Sequence, residues 1–154
     1  MSVFNRILVA VDGSETSDLG LNKALELAKD QQAALRIIHV VDTTPVVVGY
    51  ADFGGVEELM ASIRAAGAKV LERAKATASA AGATVDSRLV EVDRVGERIA
   101  GMIEKEALAW PADLVVAGTH GRRGFNHLLL GSVAESLVRL SSQPVLLIRG
   151  QAAG

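Results

Sequence analysis

Cysteine is absent from the 154 residues, so disulfide staples, thiolate metal ligands and a cysteine nucleophile are all excluded, and nothing calls for an oxidising compartment. Aromatic side chains are scarce at 3%, which leaves an aliphatic core to be built. An excess of one charge is lacking too. With 16 Lys and Arg against 18 Asp and Glu the net charge is −2, too balanced for whole-protein attraction to nucleic acid or an anionic membrane. Long hydrophobic runs are missing as well. The first apolar stretch, Ile7-Leu8-Val9-Ala10-Val11, breaks at Asp12-Gly13-Ser14, too soon for a signal peptide or a membrane span, and the expected location is therefore cytoplasmic. Internal repeats and low-complexity tracts are not found, and neither the G-x-x-x-x-G-K-[ST] loop nor the G-x-G-x-x-G turn occurs.

What is present is a 49% hydrophobic chain of a length that suits one core, expected as a single domain over 1–150 with 151–154 as a loose tail. Short apolar runs alternate with segments of helical period. Ile7 to Val11 reads as a buried strand; Leu21, Ala24, Leu25 and Ala28 mark one face of a helix that Ser14 can cap. Leu35 to Val41 is a second strand, and Asp42 to Gly55, with Pro45, Gly49, Gly54 and Gly55, is a long connection. Val56, Leu59, Met60, Ile63, Gly67, Val70, Leu71 and Ala74 keep the rhythm of a long helix that Gly82 ends. Thr84 to Val92 reads as a strand wetted on one side. A third helix carries Ile99, Met102 and Ile103 and stops near Trp110-Pro111. Leu114 to Ala117, Ser132 to Leu140 and Pro144 to Ile148 complete the series as strand, fourth helix and strand.

Strands separated by helices make a doubly wound α/β fold, with a mostly parallel five-stranded sheet, right-handed crossovers and helices on both faces. The uniformly apolar first and fourth strands belong in the middle and the polar third at an edge, which the order 3-2-1-4-5 satisfies. Ligands in such sheets bind beyond the carboxyl ends of the strands where the winding reverses, here between strands one and four. Asp12 closes the one and Gly118 the other.

That junction is followed by Gly118-Thr119-His120-Gly121-Arg122-Arg123-Gly124 and, after Leu128-Leu129-Leu130, by Gly131-Ser132-Val133-Ala134-Glu135. Glycines where a strand ends, and Gly-Ser where a helix begins, let backbone N–H groups approach an anion without interference from a Cβ, so the segment suits phosphate. Ser132 is expected to cap the fourth helix. The spacing Gly118-x2-Gly121-x9-Gly131-Ser132, with the opening Ile7 to Ser14 and the closing Pro144 to Ile148, resembles the nucleotide-binding branch of the universal stress protein family over nearly the whole chain.

The resemblance implies a Rossmann-like domain holding ATP, or AMP or ADP, in a dimer. Gly118, Gly121, Gly131, Ser132 and Val133 would contact ribose and phosphates, with Arg122 a candidate for the terminal phosphates. Asp12 would sit near ribose or a phosphate-bound divalent cation, Mg or Mn. Val40, Ala10, Val11 and Ala117 would frame the adenine. Pairing of the apolar fifth strand with its twin would cover an exposed edge and give a two-fold homodimer.

The residues support several functions. A regulatory protein whose conformation or partner affinity shifts with bound ATP comes first, with an unidentified regulatory protein as its partner. A slow ATPase or phosphotransferase would use Asp12 on a cation and Ser132 as phosphate acceptor, but no side chain offers itself as a base. AMP or cyclic AMP would fit the same adenine frame. Gly121-Arg122-Arg123-Gly124 resembles the G-x-x-G clamp of an RNA-binding module, but here it follows a buried strand, so neither nucleic acid binding nor membrane insertion is expected. His120 and His127 lack a nearby carboxylate or a ligand-spaced partner and read as structural or surface residues, while His39 reads as a hydrogen-bonded core histidine. The apolar loop Pro45 to Phe53 could cover a ligand or pack against a partner.

Overall fold

The computed structural model describes residues 2–120 and 130–150. The element order is β1 (Arg6–Ala10), α1 (Glu15–Gln31), β2 (Ala34–Val41), α2 (Thr44–Tyr50), α3 (Val56–Ala80), β3 (Asp86–Glu91), α4 (Ile99–Ala109), β4 (Leu114–Gly118), α5 (Ser132–Leu140) and β5 (Val145–Ile148). The five strands form one parallel sheet in the order β3-β2-β1-β4-β5, as expected.

Alternation along the strands divides the apolar residues between two layers. Ile7 and Val9 of β1, with Leu35 and Ile37 of β2, pack under Leu21, Ala24 and Leu25 of α1 and Leu71, Ala74 and Ala78 of α3. Leu8, Ile38, Val40 and Val115 face the other way, against Ile103 and Ala107 of α4 and Leu137 of α5. Ile7, Leu8 and Val9 in succession are fully buried, which explains why β1 reads as an unbroken apolar run.

The chain departs from the sequence reading in the stretch Asp42 to Gly55, where a helix, α2, replaces an irregular connection. Pro45 and three consecutive valines look unhelical, but proline is at home in a first turn and burial of Val46 holds the segment down. Ser14 caps α1 as expected, its hydroxyl accepting the Ser17 N–H at 3.2 Å. Ser132 does not cap α5. Gly131 occupies the cap position in extended conformation and Ser132 is the first helical residue, with no side-chain capping bond.

The amino ends of the strands are bolted together by charge. Glu106 of α4, 6% exposed, accepts from Arg36 of β2 at 3.0 Å and from Arg88 of β3 at 3.2 Å, while Arg36 also reaches Asp86. Trp110 takes the guanidinium groups of Arg6 and Arg36 against its ring at 5.8 and 4.8 Å. Asp113 accepts the N–H groups of Asn5 and Arg6. No helix among the described residues is long and apolar enough to cross a membrane.

Candidate functional site

At the opposite end of the sheet, where β1 and β4 separate, lies a cavity of about 780 Å³. Its lining includes Ala10, Val11 and Asp12 from the end of β1, Val40 from β2, Ala117 and Gly118 from β4, and Gly131, Ser132 and Val133 from the start of α5. Nine of the eleven positions singled out in the sequence thus converge on one space; Gly121 and Arg122 lie outside the described residues.

The backbone at this point carries the more informative chemistry. The Val11 N–H bonds to the Ile38 carbonyl at 2.9 Å, and β1 then turns away, so β2 loses its neighbour on that side beyond Ile38. Val41 faces β3, its carbonyl accepting the Val92 N–H at 2.9 Å. Because successive residues of a strand address opposite neighbours, Val40 directs its N–H and C=O toward the side β1 has left, into the cavity. An adjacent donor and acceptor on a rigid strand are thereby presented to whatever enters.

The turn after β1 is fixed by its own side chains. Asp12 Oδ1 accepts the Ser14 N–H at 2.9 Å, the Asp12 N–H donates to Ser17 Oγ at 2.9 Å, and Gly13 takes φ of 84°, a value that favours glycine. Arg73 of α3 donates to the Gly13 carbonyl at 3.1 Å and to Asp18, tying the turn to that helix. Asp12 thus shapes the turn and stands at the cavity wall.

His39 is buried and its Nδ1 lies 2.6 Å from the Val11 carbonyl. A carbonyl only accepts, so Nδ1 carries the hydrogen. The histidine is the core residue expected, and it also forms part of the cavity wall. Gly67 of α3 is a second wall residue that the helical pattern could not assign to the site. A Cβ there would overlap Val41 Cγ1 and come within 3.2 Å of His39 Cδ2, so glycine is what lets α3 lie against β2. Gly118 has a comparable packing role: a Cβ would meet Thr16 Cγ2 at 2.9 Å and the Thr16 carbonyl carbon at 3.2 Å. Ser17, buried in the wall, was also missed, since a lone serine in a helical run carries no signal of its own.

Beside the cavity, Arg64 of α3 grips Glu91 at the end of β3 through Nε and an Nη, both at 2.9 Å, and the Thr43 hydroxyl donates to the same carboxylate. The Arg64 hydrogen bond holds the Glu91 carboxyl below its ordinary pKa, with burial opposing and Thr43 assisting, and it raises that of Arg64.

A parallel doubly wound sheet, with a roomy cavity over the reversal of winding, defines a Rossmann-like α/β protein. Residues 4–149 match the family model described as the universal stress protein family. The universal stress protein YxiE of Bacillus subtilis is 35% identical over 153 residues, spanning 96% of this chain and all of that protein. A crystal structure of a universal stress protein family member from Burkholderia pseudomallei is 37% identical, covers 96% of this chain and 98% of its own, and superposes with a TM-score of 0.76. Another solved universal stress protein, in complex with cAMP, is 25% identical with a TM-score of 0.67, covering 96% and 98% of the two chains. The chain belongs to the universal stress protein family.

Proposed function

We propose that the protein binds an adenine nucleotide in this cavity and acts as a regulatory binding protein, its conformation or partner affinity set by occupancy. The observation that carries the reading is the backbone edge of Val40. Its C=O suits the exocyclic amino group of adenine and its N–H the neighbouring ring nitrogen, whereas guanine presents acceptor and donor in the reverse order. The surrounding wall of Ala10, Val11, Ile99, Ile103 and Ala117 is apolar, as a purine face requires.

The charged tail would lie toward Gly118, Gly131, Ser132 and Val133, where the first N–H groups of α5 supply positive partial charge. Ser132 is not spent on capping, which leaves its hydroxyl for the tail or the ribose. Asp12 would face ribose or a phosphate-bound Mg or Mn, a cation held mainly by phosphates needing one or two protein carboxylates; the cavity's other carboxylate, Asp42, accepts from the Thr44 N–H and hydroxyl. Gly121 and Arg122 complete the proposed set. The related structure with cAMP supports the adenine frame and equally favours a nucleotide with one phosphate. A homodimer through β5 belongs to the same reading.

Calorimetry with ATP, AMP, cAMP and GTP, together with mass spectrometry of any small molecule released on denaturation, tests this. The expected result is binding of the adenine nucleotides at least about tenfold tighter than GTP, the worth of one buried polar mismatch. Equal affinity for GTP would overturn the assignment of the Val40 edge. Multiple-turnover hydrolysis abolished by Asp12→Asn would replace a binding protein with an enzyme.

A further inference from the structure

Five aromatic residues occur in the chain, and two of them, Tyr50 and Phe53, stand together in solvent on the segment that follows β2. Tyr50 is 55% exposed and Phe53 67%, their rings edge to face with centroids 6.3 Å apart, and Val48 beside them is 66% exposed. A hollow of about 390 Å³ between α2 and the end of β3, lined by Thr44, Val47, Val92, Asp93 and Val95 among others, adjoins this surface. Folding gains nothing from leaving aromatic and branched side chains in water, and aromatic residues are enriched where proteins meet.

The charge along this segment of chain has one sign. From Asp42 to Ile63 there is no Lys, Arg or His, while Asp42, Asp52, Glu57 and Glu58 are all acidic. Arg64, the next cation along the chain after this segment, is engaged by Glu91. Asp52, Glu57 and Glu58 are exposed.

We propose that α2 and the turn to α3 form a docking surface for a protein partner that offers an amphipathic helix, apolar on one face and flanked by Lys or Arg. Apolar side chains on a segment whose charges, Asp42, Asp52, Glu57 and Glu58, are all acidic select that chemistry, with Arg94 and Lys105 confined to the far rim of the hollow beside Asp93. Nucleic acid and anionic lipid are disfavoured by the same four carboxylates. A second copy is disfavoured because a two-fold contact would bring the carboxylates of this segment against the same carboxylates of the other copy's patch. The hollow takes one apolar side chain of the helix. Asp42 lies in the wall of the large cavity at the root of α2, so the docking surface and the cavity share a hinge, but the docking proposal does not require the cavity to be filled.

Tyr50 is the chain's one tyrosine, so fluorotyrosine incorporation gives a single ¹⁹F resonance that reports on the patch alone. The probes are three peptides of about fourteen residues, roughly four helical turns: Leu with Lys at amphipathic spacing, Leu with Glu at the same spacing, and Ser with Lys. The Leu–Lys peptide is expected to shift the resonance and the other two are not. Val48→Ser with Phe53→Ser should weaken binding at least about tenfold at unchanged thermal melting, since exposed side chains contribute little to the fold. Glu57→Lys with Glu58→Lys should transfer the preference to the Leu–Glu peptide. Equal response to the Leu–Lys and Leu–Glu peptides, no response to either, or binding that survives both double variants overturns the proposal. So does sedimentation showing self-association that the serine variant abolishes, which would make the occupant a second copy.

Discussion

Replacing Gly67 by alanine inserts one methyl group at the point where α3 touches the sheet. Considered as a helix residue alone, alanine should stabilise α3 by up to about 1 kcal/mol. The site opposes this. The new Cβ would overlap Val41 Cγ1 and stand 3.2 Å from His39 Cδ2 and 3.3 Å from Leu89 Cδ1, so two strands resist the methyl at once. Overpacking of a close-packed interior costs about 1–3 kcal/mol, and with a stiff β-branched valine as the nearest obstacle the upper part of that range applies. The net expectation is a loss of about 2 kcal/mol, equivalent to a fall in melting temperature of roughly 4–8 °C for a chain of this size. Gly101 in α4 is the matched control. A Cβ there meets nothing within 4 Å, so Gly101→Ala should be neutral or stabilising by up to about 1 kcal/mol. Urea unfolding of the two variants beside the parent chain decides the matter. A Gly67→Ala protein as stable as the parent would refute the packing argument, because it would mean that α3 can lift from β2 at no cost.

Ser17→Ala should cost about 1–3 kcal/mol, because the Asp12 N–H loses its acceptor in a partly buried turn, and it should weaken ligand affinity more than a serine replacement on the outer face of α1; unfolding curves and calorimetry check both. Glu106→Ala should be destabilising by about 1–3 kcal/mol in urea melts, since Arg36 and Arg88 lose their buried acceptor although Arg36 keeps Asp86 and Arg88 is largely solvated, whereas Glu106→Gln should recover part of the loss. Glu91 has its folded pKa lowered by Arg64, so its contribution is present above the unfolded carboxyl value of about 4.3 and disappears as pH falls through the folded value. The stability gap between the parent and Glu91→Gln, measured at neutral pH, should therefore close on acidification below that range; a gap that persists unchanged at pH of about 3 would contradict the assignment.

The sheet was readable in the sequence because β1 and β4 are buried on both faces, and nothing but an unbroken aliphatic run satisfies that. The switch point followed from strand order, and with it the meeting of Asp12 and Gly118, whereas Val40 came only from the resemblance to the universal stress proteins. The walls were less legible. Gly67 looks like any small residue on a helix face, and its proximity to His39 and Val41 arises only when α3 is laid across the sheet. Ser17 becomes a site residue through a bond to the Asp12 backbone, which no side-chain pattern encodes. Helix α2 escaped notice because Pro45, Gly49 and the valines Val46 to Val48 have low helical propensity, and tertiary burial of Val46 overrides it. Ser132 was misassigned as a cap by one position: glycine, too, is acceptable there, and Gly131 took the role.

Gly118 has a mechanical consequence. It sits where the end of β4 meets the first turn of α1, and the hydrogen in place of a side chain is what allows Thr16 to seat against the strand. That same turn carries Ser14 and Ser17, whose hydroxyls hold the Asp12 loop in shape. The two lips of the cleft are thereby ganged: force applied to one is delivered to the other through a joint a single hydrogen wide. A bulkier residue at that joint would wedge both lips apart together, so its effect on a bound molecule would arrive by leverage as well as by its own intrusion into the cavity wall.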